Sequence, residues 1–117
     1  MNLNEIKREL LNFREERDWS KFHDPKNLAE AISIEASELL ELFLWKNKQE
    51  IEKDINSDLE YKTNIEDELA DIFTYCIQMA NTLDLDIEKI IFKKLEKVKI
   101  KYPIDKATGN HIKYSKL

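Results

Sequence analysis

Hydrophobic residues recur every three or four positions along most of this chain, a spacing typical of amphipathic helices. Residues with helix-capping side chains precede these runs, and a proline follows one of the caps, at Pro25. The pattern predicts four main helices, over residues 2–18, 25–45, 58–83 and 86–102, with the third beginning between 58 and 64. A shorter helix is expected over residues 49–55 and an irregular tail over 103–117.

Residues that interrupt helices are scarce, since the chain has one glycine and two prolines among 117 residues. We therefore expect an all-α protein, built as a bundle of the four main helices, with a single domain over residues 1–117. A Rossmann fold or a P-loop requires a glycine-rich turn, and the single Gly109 excludes both.

Cellular location is constrained by three features of the sequence. No apolar run approaches the ~20 residues needed to cross a bilayer, and residues 1–19 are too highly charged for a signal peptide. Cys76 is the only cysteine, so no internal disulfide can form, which fits a reducing compartment. We therefore expect a cytoplasmic protein without a membrane partner.

Two pairs of carboxylates stand out, because each pair lies within a predicted helix and its members are three residues apart. Glu35 and Glu38 belong to the second main helix, and Glu68 and Asp71 belong to the third. At about 100° of rotation per residue, each pair falls on the apolar side of its helix rather than on the polar side. Carboxylates directed at a core need a partner if they are to stay ionised.

A hard divalent cation is the simplest partner for these four side chains. All-oxygen ligation suits Mg²⁺, with Mn²⁺ as a substitute. A di-iron carboxylate centre is the competing interpretation, but it needs two Glu-x-x-His motifs. The only histidines, His23 and His111, lie outside the predicted helix cores. The sequence therefore favours magnesium, which commonly binds phosphates.

Charge is distributed unevenly along the chain. Residues 1–88 contain ten basic and 22 acidic residues, whereas residues 89–117 contain nine lysines and two acids. The basic end either balances the acidic body or binds an anionic substrate near the metal, and charge alone leaves both interpretations open. Nucleic acid is not an expected partner, because the acidic body would repel its backbone.

The two acid-bearing helices have apolar stripes that cover about half of the helix circumference, more than one packing contact can bury. In so short a chain the extra surface predicts a second subunit, so we expect a homodimer or a homotetramer. The additional apolar positions are Ala36, Leu40, Phe43 and Leu44 on the second helix and Leu69, Phe73, Ile77 and Ala80 on the third.

From Arg17 onward, the order of these motifs resembles the all-alpha nucleoside triphosphate pyrophosphohydrolases, and most of all their MazG-like branch around dCTP pyrophosphatase. The single motifs are common, but their combination is specific. The matching residues are Arg17-Asp18-Trp19, Phe22-His23, Pro25, Asn27-Leu28, Glu35, Glu38-Leu39, Glu41-Leu42-Phe43, Trp45-Lys46, Glu68-Leu69, Asp71, Tyr75, Lys94, Tyr102-Pro103, Lys113-Tyr114-Ser115 and Leu117.

The resemblance implies hydrolysis of a nucleoside or deoxynucleoside triphosphate to the monophosphate and pyrophosphate, in clearance of the nucleotide pool. dCTP and a modified nucleotide are both open as substrates. The resemblance also implies that the four acids hold Mg²⁺ and that two tryptophans line the base pocket. In the enzymatic interpretation, the attacking water is activated by the metal or by Glu35 or Glu38 as a general base. The implied substrate contacts are Trp19, His23, Asn27, Trp45, Tyr75, Lys94, Tyr102 and Lys113.

Several positions depart from the family pattern. Val98 stands where asparagine is frequent, and Leu10 stands where the dCTP enzyme brings a histidine toward the base. Lys99 and Lys101 replace arginines, and lysine does not bind phosphate with two parallel hydrogen bonds as arginine does. The preferred base and sugar therefore stay open.

A non-catalytic interpretation stands beside the enzymatic one. A helical dimer that binds or regulates a partner would contain the acids as a charged seam inside its bundle. Stabilisation by Mg²⁺ is the first test between the two, because a metal that binds only the folded protein stabilises it.

Overall fold

A computed structural model describes all 117 residues of the chain, which form helices and turns but no β-strand. Short 3₁₀ turns lie at Ser20–Phe22 and Tyr114–Lys116. The all-α fold predicted from the sequence is confirmed. The six α-helices are α1 (Leu3–Glu16), α2 (Pro25–Glu41), α3 (Lys48–Ser57), α4 (Leu59–Leu83), α5 (Ile87–Lys101) and α6 (Ile104–Ala107).

Polar side chains define where the helices begin. At the start of α1, the Asn2 side chain accepts a hydrogen bond from the Glu5 N–H at 2.9 Å, and the Glu5 carboxylate accepts one from the Asn2 N–H. This reciprocal pair satisfies two backbone donors that the helix itself leaves free. α2 begins with Pro25 directly after its cap, Asp24. The caps of α3, α4 and α5 are Asn47, Asp58 and Asp86.

Three boundaries differ from the predicted ones. α2 ends at Glu41, and the turns that follow leave Trp45 in the left-handed region with φ of 65°. α3 extends to Ser57, because Asp58 serves both as the C-cap of α3 and as the N-cap of α4. The tail expected to be irregular contains the single helical turn of α6.

The chain consists of two compact units, Met1–Asp84 and Leu85–Leu117. In the first unit α4 is the scaffold, because α1, α2 and α3 each pack against it. The buried side chains of this unit include two polar ones, from Arg14 and Gln78. Its buried hydrophobic side chains are Leu28, Tyr61, Ile77 and Ala80.

The second unit comprises α5, α6 and the C-terminal 3₁₀ turn. The rings of Tyr102 and Tyr114 meet edge to face, with centroids 5.9 Å apart. The Lys101 ammonium lies 4.5 Å from the centroid of the Tyr114 ring. These aromatic and cation–π contacts hold the last turn against the end of α5.

Part of the surface predicted to be in excess is exposed, whereas Ile77 and Ala80, which were also predicted there, are buried in the core because α1 and α2 pack against α4. Leu40 on α2 is 68% exposed and Phe73 on α4 is 60% exposed. The predicted second subunit stays a prediction, as does the single domain. None of the helices has the length and apolar character that crossing a membrane requires.

Leu28 offers a direct test of the core, because it is 1% exposed. Leu28→Ala is expected to lower the free energy of unfolding by about 2–5 kcal/mol, since it removes buried methyl groups and leaves a cavity. Leu59→Ala is the matched control, because Leu59 is 79% exposed; it is expected to change this free energy by less than about 1 kcal/mol. Urea unfolding measures both, and equal losses would contradict the assignment of this core.

Candidate active site

Three of the four predicted acids meet where α2 packs against α4. One carboxylate oxygen from each of Glu35, Glu68 and Asp71 lies within 4.8 Å of the others. Glu35 comes from α2 and the other two come from α4. The helical spacing of the sequence therefore leads to a compact acidic group on two facing helices.

Without a partner, the buried carboxylates of this acidic group destabilise the folded protein. The Oε2 atoms of Glu35 and Glu68 are buried and have no hydrogen-bond partner. Contact with the Glu68 carboxyl group, followed by burial and the Glu38 side chain, raises the pKa of Glu35 from 4.5 to about 7. Partnerless buried carboxylate oxygens are rare in proteins, because a missing hydrogen bond or cation destabilises them.

A divalent cation fits these donors. The group offers only carboxylate oxygens, which are the ligands of hard cations such as Mg²⁺ and Mn²⁺. A cation would give the two partnerless oxygens an electrostatic partner. Glu38 is exposed and lies outside the group of three, but it is close enough to Glu35 to help raise the pKa of that carboxyl group.

A cavity of about 280 Å³ adjoins the acidic group, and Asp71 belongs to both. Two aromatic rings form part of its wall: Phe13 and Trp19 meet edge to face with centroids 5.5 Å apart. The Arg17 guanidinium lies 3.8 Å from the centroid of the Phe13 ring, on the same aromatic cluster. The full lining comprises Leu10, Phe13, Trp19, His23, Asp71, Thr74, Tyr75 and Gln78.

Two polar side chains of the cavity are held in their neutral forms. Burial, and secondly the positive charge of Arg14, lowers the pKa of His23, so its imidazole is uncharged near neutral pH. The His23 Nδ1 atom is buried without a hydrogen-bond partner. Burial, followed by the charges of the neighbouring carboxylates, raises the pKa of the Tyr75 hydroxyl. Tyr75 therefore stays a hydrogen-bond donor beside the acids.

Two of the predicted substrate contacts in the first unit do not line this cavity. The Asn27 side-chain amide donates to the Phe22 carbonyl at 3.1 Å and to the Asp24 carboxylate at 3.0 Å, so it stabilises the start of α2. Trp45 is 92% exposed and lies beyond the end of α2. Trp19, His23 and Tyr75 are the predicted contacts that the cavity brings together.

The remaining predicted contacts belong to the second unit. Lys94 is an exposed residue of α5, Tyr102 is the C-cap of that helix, and Lys113 precedes the final 3₁₀ turn. The ring of Tyr102 packs on Tyr114. Their roles toward a substrate stay predictions.

Three residues of the cavity wall were not predicted from the sequence. Phe13, Thr74 and Gln78 line it, and none of them belongs to a motif. Gln78 is buried and donates to the Leu10 carbonyl at 2.7 Å, which ties α1 to α4. The spacing could have identified Gln78, because it is a polar residue one turn after Tyr75 on the same face of α4.

Known proteins resemble this chain over nearly its whole length. dCTP pyrophosphatase 1 of Bos taurus is 34% identical over 115 residues, which cover 98% of this chain and 68% of that protein. The Homo sapiens protein of the same name is 33% identical over 115 residues, covering 98% and 67%. The crystal structure of a pyrophosphatase from Archaeoglobus fulgidus DSM 4304 matches with a TM-score of 0.79 and 35% identity, covering 86% of this chain and 92% of that one.

The family itself is identified by a model that spans most of the chain. The model of the MazG-like family matches residues 31–117, a range that includes all four predicted acids. The resemblance inferred from the motifs is thereby confirmed. The chain belongs to the MazG-like family.

Proposed function

We propose that this protein is a Mg²⁺-dependent nucleoside triphosphate pyrophosphohydrolase, which forms the nucleoside monophosphate and pyrophosphate. The observation that carries the proposal is the pair of buried, partnerless oxygens of Glu35 and Glu68 beside an aromatic cavity. The MazG-like family and the names of the relatives agree with the enzyme class expected from the sequence. Clearance of the nucleotide pool is the proposed biological role.

Glu35, Glu68 and Asp71 would hold Mg²⁺, with Glu38 beside them and Mn²⁺ as a substitute. When bound, Mg²⁺ would neutralise phosphate charge and lower the pKa of its bound water. Glu35 would lose its proton as the cation binds, because its raised pKa comes from neighbouring carboxylates and burial.

The reaction itself needs a water molecule and a proton acceptor. Water attacks the α-phosphorus, and the bond from that phosphorus to the oxygen bridging the α- and β-phosphates breaks. Glu38 or Glu35 accepts the proton of the water, and both stay candidates for this base. Pyrophosphate leaves with added negative charge, and Lys94 and Lys113 stay proposed contacts for it, as the family resemblance implies.

The nucleoside would occupy the cavity that adjoins the acids. Its base would contact Trp19 and Phe13, since aromatic rings offer flat surfaces on which a base stacks. Tyr75 would donate its hydroxyl to the sugar–phosphate region, and the neutral His23 would face the nucleoside. dCTP and a modified nucleotide both stay proposed substrates.

The predicted substrate contacts outside the cavity wall also stay part of this proposal. Trp45 stays a proposed base contact, with its ring exposed next to Lys46, which packs on Tyr61 at the start of α4, whereas the cavity lies toward the end of that helix. Asn27 would act from the start of α2, and Tyr102 would act from the end of α5.

A homodimer or homotetramer is the proposed assembly. Four large apolar side chains are exposed in this part of the chain. They are Leu40 on α2, Leu44 just after α2, and Leu69 and Phe73 on α4. Burial of such surface in water is favourable, and a second copy of the chain would supply it.

Product analysis tests the proposed reaction. The chain is incubated with ribo- and deoxynucleoside triphosphates, including dCTP, with Mg²⁺ or with a chelator. Pyrophosphate and the matching monophosphate are expected only with Mg²⁺. Glu35→Gln is expected to lower turnover at least about a hundredfold, because it removes a ligand and a candidate base.

Glu30→Gln is the matched control, because Glu30 is an exposed residue of α2 that pairs with Lys26 rather than with the acidic group. Its turnover is expected to stay within about twofold of the wild type. Release of single phosphates would contradict the assignment of the attacked phosphorus. Stabilisation by Mg²⁺ without turnover of any nucleotide in the panel would favour a modified-nucleotide substrate or the non-catalytic module.

The pKa of Glu35 gives a prediction about pH and metal. Between pH 4.5 and about 7, the unfolded chain loses the Glu35 proton while the folded protein keeps it. The contribution of Glu35 to the free energy of unfolding of the metal-free protein is therefore expected to fall as the pH rises through this range. Thermal unfolding of the wild type and of Glu35→Gln with a chelator measures this contribution as their difference.

Two comparisons isolate the contribution of Glu35. Glu35→Gln is expected to weaken the pH dependence, because glutamine does not titrate. Mg²⁺ is expected to stabilise the wild type most above pH 7, where no proton competes for the Glu35 carboxylate. A metal-free wild type with the same pH dependence of stability as Glu35→Gln would contradict the site geometry.

The proposed assembly is tested by light scattering after size exclusion. The wild type is expected at a multiple of the 14.0 kDa chain mass. Leu40→Glu is expected to shift the population toward the monomer, because it places a charge on the exposed apolar face of α2. A monomeric wild type at high concentration would overturn this part of the proposal.

A further inference from the structure

The segment between α1 and α2 supplies two of the cavity-lining side chains, Trp19 and His23. Its only regular element is the 3₁₀ turn Ser20–Phe22, and no side chain caps this turn. Asp18 at its start has a left-handed backbone with φ of 54°. Such a segment needs contacts from elsewhere in the fold to hold one conformation.

Arg14 provides these contacts with its side chain. It is 6% exposed, and its Nη1 donates a hydrogen bond to the Thr82 hydroxyl at 3.0 Å. The Thr82 hydroxyl in turn donates to the His23 carbonyl at 3.0 Å. The two hydrogen bonds connect α1, α4 and the connecting segment in series.

The backbone of Arg14 holds the other end of the segment. Its carbonyl accepts hydrogen bonds from the Trp19 N–H at 3.0 Å and from the Arg17 N–H at 3.3 Å. The same residue therefore restrains the backbones of both cavity-lining residues, Trp19 through its carbonyl and His23 through Thr82.

Burial of the Arg14 guanidinium by itself destabilises the folded protein. Its Nε is buried without a hydrogen-bond partner, and the nearest carboxylate oxygen, from Glu15, is 3.7 Å away. A buried guanidinium without a close carboxylate loses more hydration than it regains, and an apolar side chain of similar length would pack without this loss. The restraint of His23 through Thr82 is the contribution that a methionine could not make.

We propose that Arg14 is a positioning residue, whose side chain acts with Thr82 to hold His23 in the wall of the nucleoside cavity. This inference rests on the proposed function. Since this wall would contact the nucleoside and not the phosphates, Arg14 and Thr82 should affect substrate binding more than the chemical step.

Thr82 allows the cleanest test, because it lies outside the cavity lining. Thr82→Val keeps the shape of the side chain and removes the hydroxyl, whereas Thr82→Ser keeps the hydroxyl. With dCTP and Mg²⁺, Thr82→Val is expected to raise KM about tenfold with kcat changed less than about twofold, and Thr82→Ser is expected to resemble the wild type. Equal KM values for the wild type and Thr82→Val would overturn the proposal.

Arg14→Met should raise KM in the same way. The double variant Arg14→Met/Thr82→Val is expected to raise KM no further than Arg14→Met alone, because both substitutions break one connected set of hydrogen bonds. Additive effects would overturn the connection. Asn2→Ala is the control for general weakening of α1, because it removes the capping box at the far end of that helix and should leave KM unchanged.

A measurement without substrate separates this inference from the proposed function. The His23 N–H donates to the Ser20 carbonyl at 3.1 Å and the Phe22 N–H donates to the Trp19 carbonyl at 2.9 Å, so these two amides report the order of the turn that Thr82 holds at His23. Thr82→Val is expected to speed hydrogen exchange of both amides, measured by NMR, whereas Asn2→Ala is expected to leave it unchanged. Unchanged exchange in Thr82→Val would overturn the positioning role even if dCTP is hydrolysed. Faster exchange without hydrolysis by the wild type would refute only the proposed function.

Discussion

The packing of α2 on α4 brings carboxylates of like charge together. The stability of this packing and the binding of a metal both depend on how the repulsion between them is compensated. Glu35 approaches Glu68 and Asp71 to within 4.8 Å. The energetic cost is visible in the pKa of Glu35, which contact with Glu68 and burial raise to about 7. Apolar contacts of the same two helices, such as Leu28 and Ile77, oppose this cost. A bound cation would turn the repulsion into attraction, which couples metal binding to stability.

One face of α4 connects the acids to the cavity. Residues spaced by three or four positions share a helix face, so the functional side chains of α4 form one line along it. Gln78 and Thr82 continue that line toward α1, where the amide of Gln78 reaches the Leu10 carbonyl and the Thr82 hydroxyl accepts from Arg14. A small apolar core is thus supplemented by directional polar contacts, which hold the cavity wall more specifically than apolar contacts do. The line comprises Glu68, Asp71, Tyr75, Gln78 and Thr82.

Local rules predicted the helices and the acids, because both depend on residues near one another in the chain. Capping residues such as Asp24 and Asp86 predict where their helices begin. The helical repeat places the two acids of each pair on one side of their helix. The cavity wall was less predictable, since Phe13 and Arg14 acquire their roles only when α1 lies against α4. The same limit applies to Trp45, which a continuous α2 would have placed on the helix, whereas the helix ends at Glu41.

The left-handed backbone of Trp45 is a case where tertiary contacts override local preference. A bulky residue at φ of 65° is strained, so neighbouring contacts must hold it. The Lys46 ammonium binds the Asp54 carboxylate at 2.7 Å and lies 4.1 Å from the centroid of the Tyr61 ring. These contacts anchor the chain directly after Trp45 and direct an exposed indole away from the core. A strained backbone that presents an aromatic ring to solvent is better explained by binding than by folding, which agrees with the base-contacting role proposed for Trp45.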